Sequence, residues 1–162
     1  MGGVATAAGL RRLVLPHYPA DQLADLLAWE HKGCVRDDAP FEAVIRLCRD
    51  YFNARQVDFG EIACDLPAER SFGGRVLRAC RAIPYGRTSS YGRLAAEIGR
   101  PEAPRAVATI LGKNPLPLVV PCHRVTYADG RLGGFSAPGG VDVKRRMLDL
   151  EARVLGRPEA PD

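Results

Sequence analysis

Apolar residues recur along the chain at two kinds of spacing, and the spacing separates predicted helices from predicted strands. Recurrence every three and four residues predicts helices over 20–30, 41–53, 71–83, 91–98, 104–111 and 141–155. Alternating or short continuous apolar runs predict two short strands within 4–15, a strand over 57–66 and a buried strand over 118–120. This order of elements predicts an α+β fold.

The predicted elements form two groups that meet near residue 70. Residues 1–70 predict a small N-terminal domain of sheet plus helix, in which Trp29 and Tyr51 are interpreted as packing residues. We interpret it as a supporting α/β domain, because it contains no motif with a recognisable chemistry. Residues 71–162 predict a mostly helical C-terminal domain. Its two helices on either side of Gly99 are short and close together, which is typical of a helix-turn-helix.

Charge divides the chain in the same way. The net charge of +4 combines 8 Lys/Arg and 11 Asp/Glu in residues 1–70 with 15 and 8 in residues 71–162. The C-terminal half therefore carries a balance of +7, against −3 in the N-terminal half. A basic domain of this size is compatible with a polyanionic partner such as DNA, although many basic domains bind none.

The cysteines and the apolar runs exclude several classes of protein. No run of about 18 apolar residues exists, so no membrane span is expected, and residues 1–9 do not have the pattern of a secretory signal. The cysteine count is odd, at 5, and no CxxC pair occurs, which argues against a disulfide framework and against a zinc site. We therefore expect a cytoplasmic protein without cofactor or metal. The alternative left open is a zinc ion held by scattered residues, namely Cys34, Cys64, His17 or His31.

A thiol and an imidazole follow the predicted buried strand. Pro121 ends that strand, because proline cannot donate to a ladder, and Cys122 and His123 come next. A thiol is a good nucleophile only as the thiolate, and a neighbouring base is the usual means of forming it. Cys122 is therefore a candidate nucleophile. The alternative is a small core cysteine beside a surface histidine, since free cysteine is often buried and inert.

The second helix of the predicted helix-turn-helix is slim on its outward side. Ala106 and Ala108 leave room there, and Arg105 lies in the first turn, where the helix dipole disfavours a cation. A helix of this shape fits a DNA groove, with Arg105 reaching towards the bases. The alternative is a solvated arginine on an ordinary core helix.

A glycine-rich segment covers residues 132–140. It lacks the residue order of a phosphate-binding P-loop. Without bulky side chains, such a segment lets a flat ligand approach the backbone. The alternative is a solvated linker.

The last predicted helix places a carboxylate on its apolar face. Glu151 lies on one stripe with Lys144, Leu148 and Leu155. A carboxylate that faces a core needs a partner, because burying it alone is costly. His123 is the candidate partner. The alternative is a position at the rim, paired with an arginine of the same helix.

These motifs together resemble one known family. They occur in order and at close spacing: Ile83-Pro84-Tyr85-Gly86, Ser90-Tyr91, Pro104-Arg105-Ala106-Val107, Asn114-Pro115, Pro121-Cys122-His123-Arg124-Val125 and Glu151. The sequence is similar to the O6-alkylguanine-DNA alkyltransferases (methylated-DNA–protein-cysteine methyltransferases). The similarity is strong over about 72–155 and weak over 4–66.

The resemblance implies direct repair of DNA in a single turnover. The alkyl group of O6-alkylguanine, and in an open alternative of O4-alkylthymine, would move irreversibly to Cys122. His123 would accept the thiol proton through a water, and Glu151 would orient His123. Asn114 would brace the active-site segment. Tyr91 would donate to N3 of the leaving guanine.

The resemblance also implies a substrate-binding surface and a monomer acting on double-stranded DNA. Its residues would be Arg105, Ala106, Gly133, Gly134, Phe135 and Ser136. Arg105 would fill the gap left by the flipped nucleotide, and Ala106 would let the helix enter the minor groove. Ser136 would bond the O6 oxygen, and the two glycines would keep the pocket wall thin.

Other classes of function remain as alternatives. A non-enzymatic module that binds alkylated bases is one, although such proteins lack the acceptor cysteine. A helix-turn-helix regulator is another, and Cys122 would then be incidental. A Cys-His hydrolase is a third, but hydrolases usually place the partner histidine far away in sequence.

Overall fold

The computed structural model describes residues 1–15, 19–135, 137 and 139–158, and its mixed architecture confirms the α+β prediction. The described strands are β1 Gly2–Thr6, β2 Gly9–Val14, β3 Ser89–Ser90 and β4 Val125–Thr126. The described α-helices are α1 Ala20–Glu30, α2 Glu42–Phe52, α3 Phe72–Arg81, α4 Tyr91–Glu97, α5 Pro104–Leu111 and α6 Gly140–Val154. Short 3-10 turns cover Ala39–Phe41 and Cys122–Arg124.

The N-terminal hairpin is built from the two strands that the sequence predicts. β1 and β2 pair antiparallel from Gly2 opposite Val14 to Thr6 opposite Gly9, with a bulge between Val4 and Ala5. The backbone amide of Leu13 in β2 donates to the carbonyl of Pro115 at 2.9 Å. The hairpin therefore contacts the segment that leads into the Cys-His pair.

The predicted strand over 57–66 is wrong. This segment runs as an irregular chain and forms only an isolated bridge between Leu10 and Cys64 among the described residues. The guanidinium of Arg81 donates to the carbonyls of Phe59, Gly60 and Ile62, at 3.2, 3.0 and 2.6 Å. A side chain from α3 thus satisfies carbonyls that a neighbouring strand would otherwise bond.

Three helices of the C-terminal half pack together and include the predicted helix-turn-helix. The side chain of Ser71 caps α3 by accepting from the amide of Gly74, and that of Ser90 caps α4 by accepting from Arg93. Pro104 occupies the first turn of α5, where its missing N–H costs nothing. The prediction of α4 and α5 is confirmed to within one residue at each end.

The predicted buried strand over 118–120 is also wrong. The segment is buried, but it forms a turn in which the amide of Val120 donates to the carbonyl of Leu116 at 2.8 Å. Leu118 adopts a left-handed conformation with φ of 70°. Prolines at 115, 117 and 121 remove the donors that a strand ladder requires. The run is apolar because the core encloses it, which a short apolar pattern cannot distinguish from a strand.

One core joins the two halves of the chain. Its buried residues include Leu10, Val44 and Tyr51 from the N-terminal half and Leu94 and Met147 from the C-terminal half. The division into domains at residue 70 stays a prediction. None of the helices among the described residues is long and apolar enough to cross a membrane.

Candidate active site

Cys122 begins the 3-10 turn that follows the proline-rich segment, and Asn114 holds it there. The Asn114 side-chain amide donates to the carbonyl of Val120 at 2.7 Å and to the Cys122 Sγ at 3.2 Å. Its Oδ1 accepts from the amide of Leu116 at 3.0 Å. One asparagine therefore fixes the turn and points an N–H at the sulfur.

The Cys122 thiol is held in its protonated form at rest. Burial raises the pKa of this thiol, while the Asn114 amide and the positive charge of Lys144 act in the opposite direction. The Cys122 residue as a whole is partly exposed. Nucleophilic chemistry at this sulfur requires a base to remove the proton.

His123 is the base nearest in sequence, and the structure pairs it with Glu151. The His123 Nε2 lies 2.7 Å from the Glu151 Oε1, and each side chain is 1% exposed. Because a carboxylate only accepts, Nε2 carries the proton in this pair. The Nδ1 atom then bears the lone pair, and it has no hydrogen-bond partner among the described residues. Burial lowers the pKa of His123, so the ring is neutral and able to accept a proton.

Glu151 accepts hydrogen bonds from several parts of the chain besides His123. The Arg124 Nε lies 3.1 and 3.0 Å from Oε1 and Oε2, the amide of Gly86 lies 2.8 Å from Oε2, and the Tyr51 hydroxyl lies 3.0 Å from Oε1. Burial alone raises the pKa of a carboxyl, but hydrogen bonds from His123 and Arg124 and the positive charge of Arg124 hold the pKa of Glu151 at about 2. Glu151 is therefore an anion at neutral pH. The predicted partner His123 is confirmed, and the positive charge beside the carboxylate comes from Arg124.

Gly86 has a defined role in this network. Its φ of 64° is left-handed, and a Cβ there would press against the Leu155 Cδ1. Both features favour glycine at the position whose amide donates to Glu151. Arg124 fixes the same segment through a hydrogen bond of 2.8 Å from its Nη1 to the carbonyl of Ile83. The Ile83-Pro84-Tyr85-Gly86 motif thus anchors the carboxylate that orients His123.

Lys144 and Tyr91 lie together near the thiol. Lys144 is 0% exposed, and its Nζ donates to the carbonyls of Val125 and Leu132. The same Nζ lies 5.8 Å from the centre of the Tyr91 ring. Burial lowers the pKa of Lys144 to about 8. The negative charge of a Cys122 thiolate acts in the opposite direction and raises this pKa. Lys144 is thus a buried charge that favours the thiolate.

Tyr91 lies against the glycine-rich segment. Burial raises its pKa, so its hydroxyl stays a donor. A Cβ on Gly133, whose φ is 68°, would lie 2.8 Å from this hydroxyl, whereas a Cβ on Gly134 would meet open space. Phe135 is partly buried and packs on the core. Ser136, which is predicted to bond the O6 oxygen, lies outside the described residues.

The outward face of α5 carries the residues that the sequence assigns to DNA. Arg105 and Ala106 are exposed in the first turn of this helix, while Val107 and Leu111 are buried beneath it. The Thr109 hydroxyl bonds back to the carbonyl of Arg105 at 3.0 Å. The helix therefore presents a flat, small surface with a cation at its tip.

Sequence reasoning missed three residues of this site. Tyr51 and Lys144 are each 0% exposed, and Arg124 bonds Glu151 directly. Lys144 shares a helical stripe with Glu151, which signalled its burial. Tyr51 shares the face of Val44 on α2, which predicts burial but not a partner 100 residues away. Within the described ranges, no group of three or more His, Cys, Asp or Glu residues could hold a metal ion.

The chain is similar in sequence to known proteins of one family. Residues 71–153 match the family described as "6-O-methylguanine DNA methyltransferase, DNA binding domain". The chain is 42% identical over 121 residues to a methylated-DNA–protein-cysteine methyltransferase from Mycolicibacterium paratuberculosis, covering 75% of this chain and 71% of that protein. It is 37% identical to a methyltransferase of the same name from Haemophilus influenzae, covering 83% and 72%.

A solved structure has the same fold. The crystal structure of Mycobacterium tuberculosis OGT in complex with DNA superposes with a TM-score of 0.75 at 32% identity, covering 94% of this chain and 86% of that one. Both the sequence and the fold thus match over most of the chain. The chain belongs to the 6-O-methylguanine DNA methyltransferase family.

Proposed function

We propose that this chain repairs duplex DNA by moving the alkyl group of O6-alkylguanine onto Cys122, once per molecule. The observation that carries the proposal is the environment of one sulfur. Asn114 directs an N–H at it, and the neighbouring His123 keeps the Nδ1 lone pair available because its Nε2–H donates to Glu151. These are the parts of a nucleophile, base and orienter assembly.

The first step is transfer of the thiol proton. It passes from Cys122 through a water to His123 Nδ1, and the imidazolium that forms is balanced by the Glu151 anion. The thiolate is supported by the Asn114 amide and by the charge of Lys144. A neutral, buried imidazole next to an anionic carboxylate suits this task.

The second step transfers carbon. The sulfur lone pair forms a bond to the alkyl carbon, and the bond from that carbon to O6 breaks with its electron pair going to guanine. Tyr91 gives a proton to N3, so guanine departs as a neutral base. Solvent then restores the proton on Tyr91 and removes the one on His123. The thioether on Cys122 has no group to cleave it, so the protein is consumed.

The substrate has to leave the base stack before it can meet the sulfur. We assign Arg105 to the gap that the flipped nucleotide leaves, and Ala106 to close approach of α5 in the minor groove. Gly133, Gly134 and Phe135 form a wall beside Tyr91, which is supported by the closeness of Gly133 to that hydroxyl. Ser136 is assigned to the O6 oxygen from the sequence alone.

The proposal extends to organisation and location. Residues 71–162 carry DNA binding and the alkyl acceptor, and residues 1–70 support them. We take the protein as a monomer, which sedimentation in the absence of DNA tests. We place it in the cytoplasm, because a reducing compartment keeps Cys122 a free thiol.

Peptide mass spectrometry after incubation with a duplex that carries one O6-methylguanine tests the function. We expect one methyl group on the Cys122 peptide and a product yield that stops at one equivalent. Cys122→Ser should take no methyl, while Cys34→Ser, which removes an exposed free thiol elsewhere, should react like the wild type. Binding without modification would instead identify a lesion-binding module or a regulator, and continued turnover would contradict the single-use mechanism. A parallel duplex with O4-methylthymine shows whether that base is accepted.

Arg105→Ala tests the role of α5. Repair of the duplex should slow much more than reaction with free O6-benzylguanine, because the free base needs no flipping. If both rates fell by the same factor, Arg105 would have no specific role in flipping the nucleotide. Duplex affinity should fall steeply with added salt, as expected where phosphate contacts dominate.

A further inference from the structure

The N-terminal half contributes a side chain to the hydrogen-bond network of the alkyl-acceptor site. Tyr51, in the last turn of α2, is 0% exposed. Its hydroxyl lies 3.0 Å from the Glu151 Oε1, 3.4 Å from the His123 Nε2 and 3.4 Å from the carbonyl of Met147. Its ring meets the His123 ring edge-on at 6.1 Å. Among the described residues of 1–70, no other side chain hydrogen-bonds this carboxylate.

The geometry indicates which atom accepts the hydrogen bond from the Tyr51 hydroxyl. Burial and the Glu151 charge raise the pKa of Tyr51, so the phenol stays protonated and has one proton to donate. The Glu151 Oε1 is the nearer acceptor, and Nε2 is already a donor to that oxygen. Tyr51 and His123 therefore share one carboxylate oxygen. Each donor that Oε1 accepts reduces the negative charge available to the other.

We propose that Tyr51 is a positioning residue that acts through Glu151 to keep His123 neutral and correctly oriented as the base for Cys122. The inference rests on the proposed function for its role in repair, but the His123–Glu151–Tyr51 contact stands without it. A fully available carboxylate would bind the imidazolium more tightly and favour a protonated ring at rest. Tyr51 limits that attraction and holds the carboxylate in place. The ring then keeps its Nδ1 lone pair for the thiol proton.

Besides Tyr51, four titratable or charged groups lie around His123 and Glu151. They are Tyr85 from the loop after α3, Cys122 and Arg124 from the 3-10 turn, and Lys144 from α6. The positive charges of Arg124 and Lys144 also disfavour the imidazolium. The effect of Tyr51 is separable from theirs, because removing its hydroxyl changes no formal charge.

The chain offers a matched control. Tyr51→Phe removes the hydroxyl that bonds Glu151 and keeps the ring. Tyr85→Phe makes the same chemical change on a ring 6.0 Å away, whose hydroxyl has no hydrogen-bond partner among the described residues. Both variants retain the aromatic packing of the region. A purely structural effect of losing a buried phenol oxygen would appear in both.

The first measurement is an NMR titration of the His123 ring, with the signal assigned by a His123→Gln variant. In Tyr51→Phe we expect the midpoint of His123 to move upward by roughly half to one pH unit, since one hydrogen bond to the carboxylate is lost. In Tyr85→Phe the midpoint should stay at the wild-type value. An unmoved or lowered midpoint in Tyr51→Phe would overturn the inference. This readout needs neither DNA nor alkyl transfer.

The second measurement is the rate of methyl transfer from duplex DNA across pH, per folded molecule. The acid limb of the rate profile should move to higher pH in Tyr51→Phe, so that the loss is about tenfold at low pH and smaller at high pH. The final yield should still reach one methyl per molecule. If the rate fell by the same factor at every pH, Tyr51 would act only through packing. Absence of methyl transfer in the wild type would defeat the proposed function, while the NMR titration would still decide the role of Tyr51.

Discussion

The side-chain amide of Asn114 points one N–H at the Cys122 sulfur, 3.2 Å away, and the same nitrogen bonds the carbonyl of Val120 at 2.7 Å. A hydrogen bond to sulfur favours the thiolate over the thiol, and it opposes the effect of burial on the pKa of Cys122. The Asn114 amide thus stabilises the charged form of the nucleophile, as Glu151 stabilises the charged form of the base. Backbone groups of Val120 and Leu116 fix the Asn114 side chain, whereas the Gly86 amide and the side chains of Arg124 and Tyr51 fix Glu151.

Asn114→Ala should therefore raise the pKa of the Cys122 thiol and slow alkyl transfer at neutral pH. The expected loss is about 10- to 100-fold, since hydrogen bonds to charged groups contribute roughly 1.5–3 kcal/mol. Single-turnover rates per folded molecule, measured between about pH 6 and 9, should show a profile displaced to higher pH. Lys113→Ala, at the exposed neighbouring position, is the control. An unchanged profile with Asn114→Ala would assign the residue to the turn alone.

Lys144 should affect both reactivity and stability. Lys144→Met keeps most of the buried volume but removes the charge that favours the Cys122 thiolate. It also removes the ammonium group that donates to the carbonyls of Val125 and Leu132. We expect slower alkylation of Cys122 and a loss of about 1–3 kcal/mol per unsatisfied carbonyl in the free energy of unfolding.

Urea denaturation and single-turnover assays measure the two effects of Lys144→Met separately. Arg146→Met is the matched control, because it makes the same change at an exposed position of the same helix. That variant should leave both quantities near the wild-type values. If Lys144→Met reacted at the wild-type rate, the charge of Lys144 would have no part in the chemistry.

Sequence reasoning succeeded where local rules decide the structure. The capping residues Ser71 and Ser90, and Pro104 at the start of α5, mark helix ends through local bonds, so the helices were predicted to within about two residues. It failed over 57–66, where the guanidinium of Arg81 replaces strand pairing. That contact depends on how α3 lies against the loop, and no pattern within the loop encodes it.

The candidate site shows the same division between local and distant information. Cys122 and His123 are adjacent in sequence, so their chemistry could be proposed from the motif. The contact between Tyr51 and Glu151 joins residues 100 positions apart, and both lie on helical faces that only predict burial. A polar atom inside an apolar face signals that a partner exists. The identity of that partner requires the folded packing.

Acid should destabilise the protein mainly through Glu151. Its folded pKa of about 2 lies below the ordinary value of 4.5. A depressed carboxyl pKa contributes stability that is fully present above about pH 4.5 and lost as the pH falls towards 2. The shift corresponds to about 3 kcal/mol. His123, whose pKa burial lowers, adds to the loss below its ordinary value of 6.5.

Urea denaturation at a series of pH values measures this dependence. Glu151→Gln should be less stable at neutral pH, because Arg124 loses its anion, and should show a much flatter dependence between about pH 4.5 and 2. Glu97→Gln removes an exposed carboxylate paired with Arg93 and should retain the wild-type slope. A wild-type slope in Glu151→Gln would show that other carboxylates carry the acid sensitivity.

The end of α2, next to Tyr51, contains a strained residue whose replacement should stabilise the protein. Ala54 is exposed and has φ of 56°. The amides of Ala54 and Arg55 donate to the carbonyls of Tyr51 and Asp50 at 3.1 and 3.0 Å, which is the Schellman arrangement that glycine normally closes. Ala54→Gly relieves about 1–2 kcal/mol of left-handed strain and adds about 0.5–1 kcal/mol of unfolded-state entropy.

We therefore expect Ala54→Gly to increase the free energy of unfolding by about 0.5–1 kcal/mol, which corresponds to a rise in Tm of about 1–4 °C for a chain of this size. Thermal and urea denaturation measure it. Ala128→Gly is the control, because Ala128 is exposed in a turn but has no positive φ, so the same change should be neutral or destabilising. A loss of stability in Ala54→Gly would mean that Ala54 is not strained as its φ indicates. This cap ends the helix that carries Tyr51, and the substitution leaves the Tyr51 side chain unchanged. The stabilised variant should therefore keep the wild-type rate of methyl transfer.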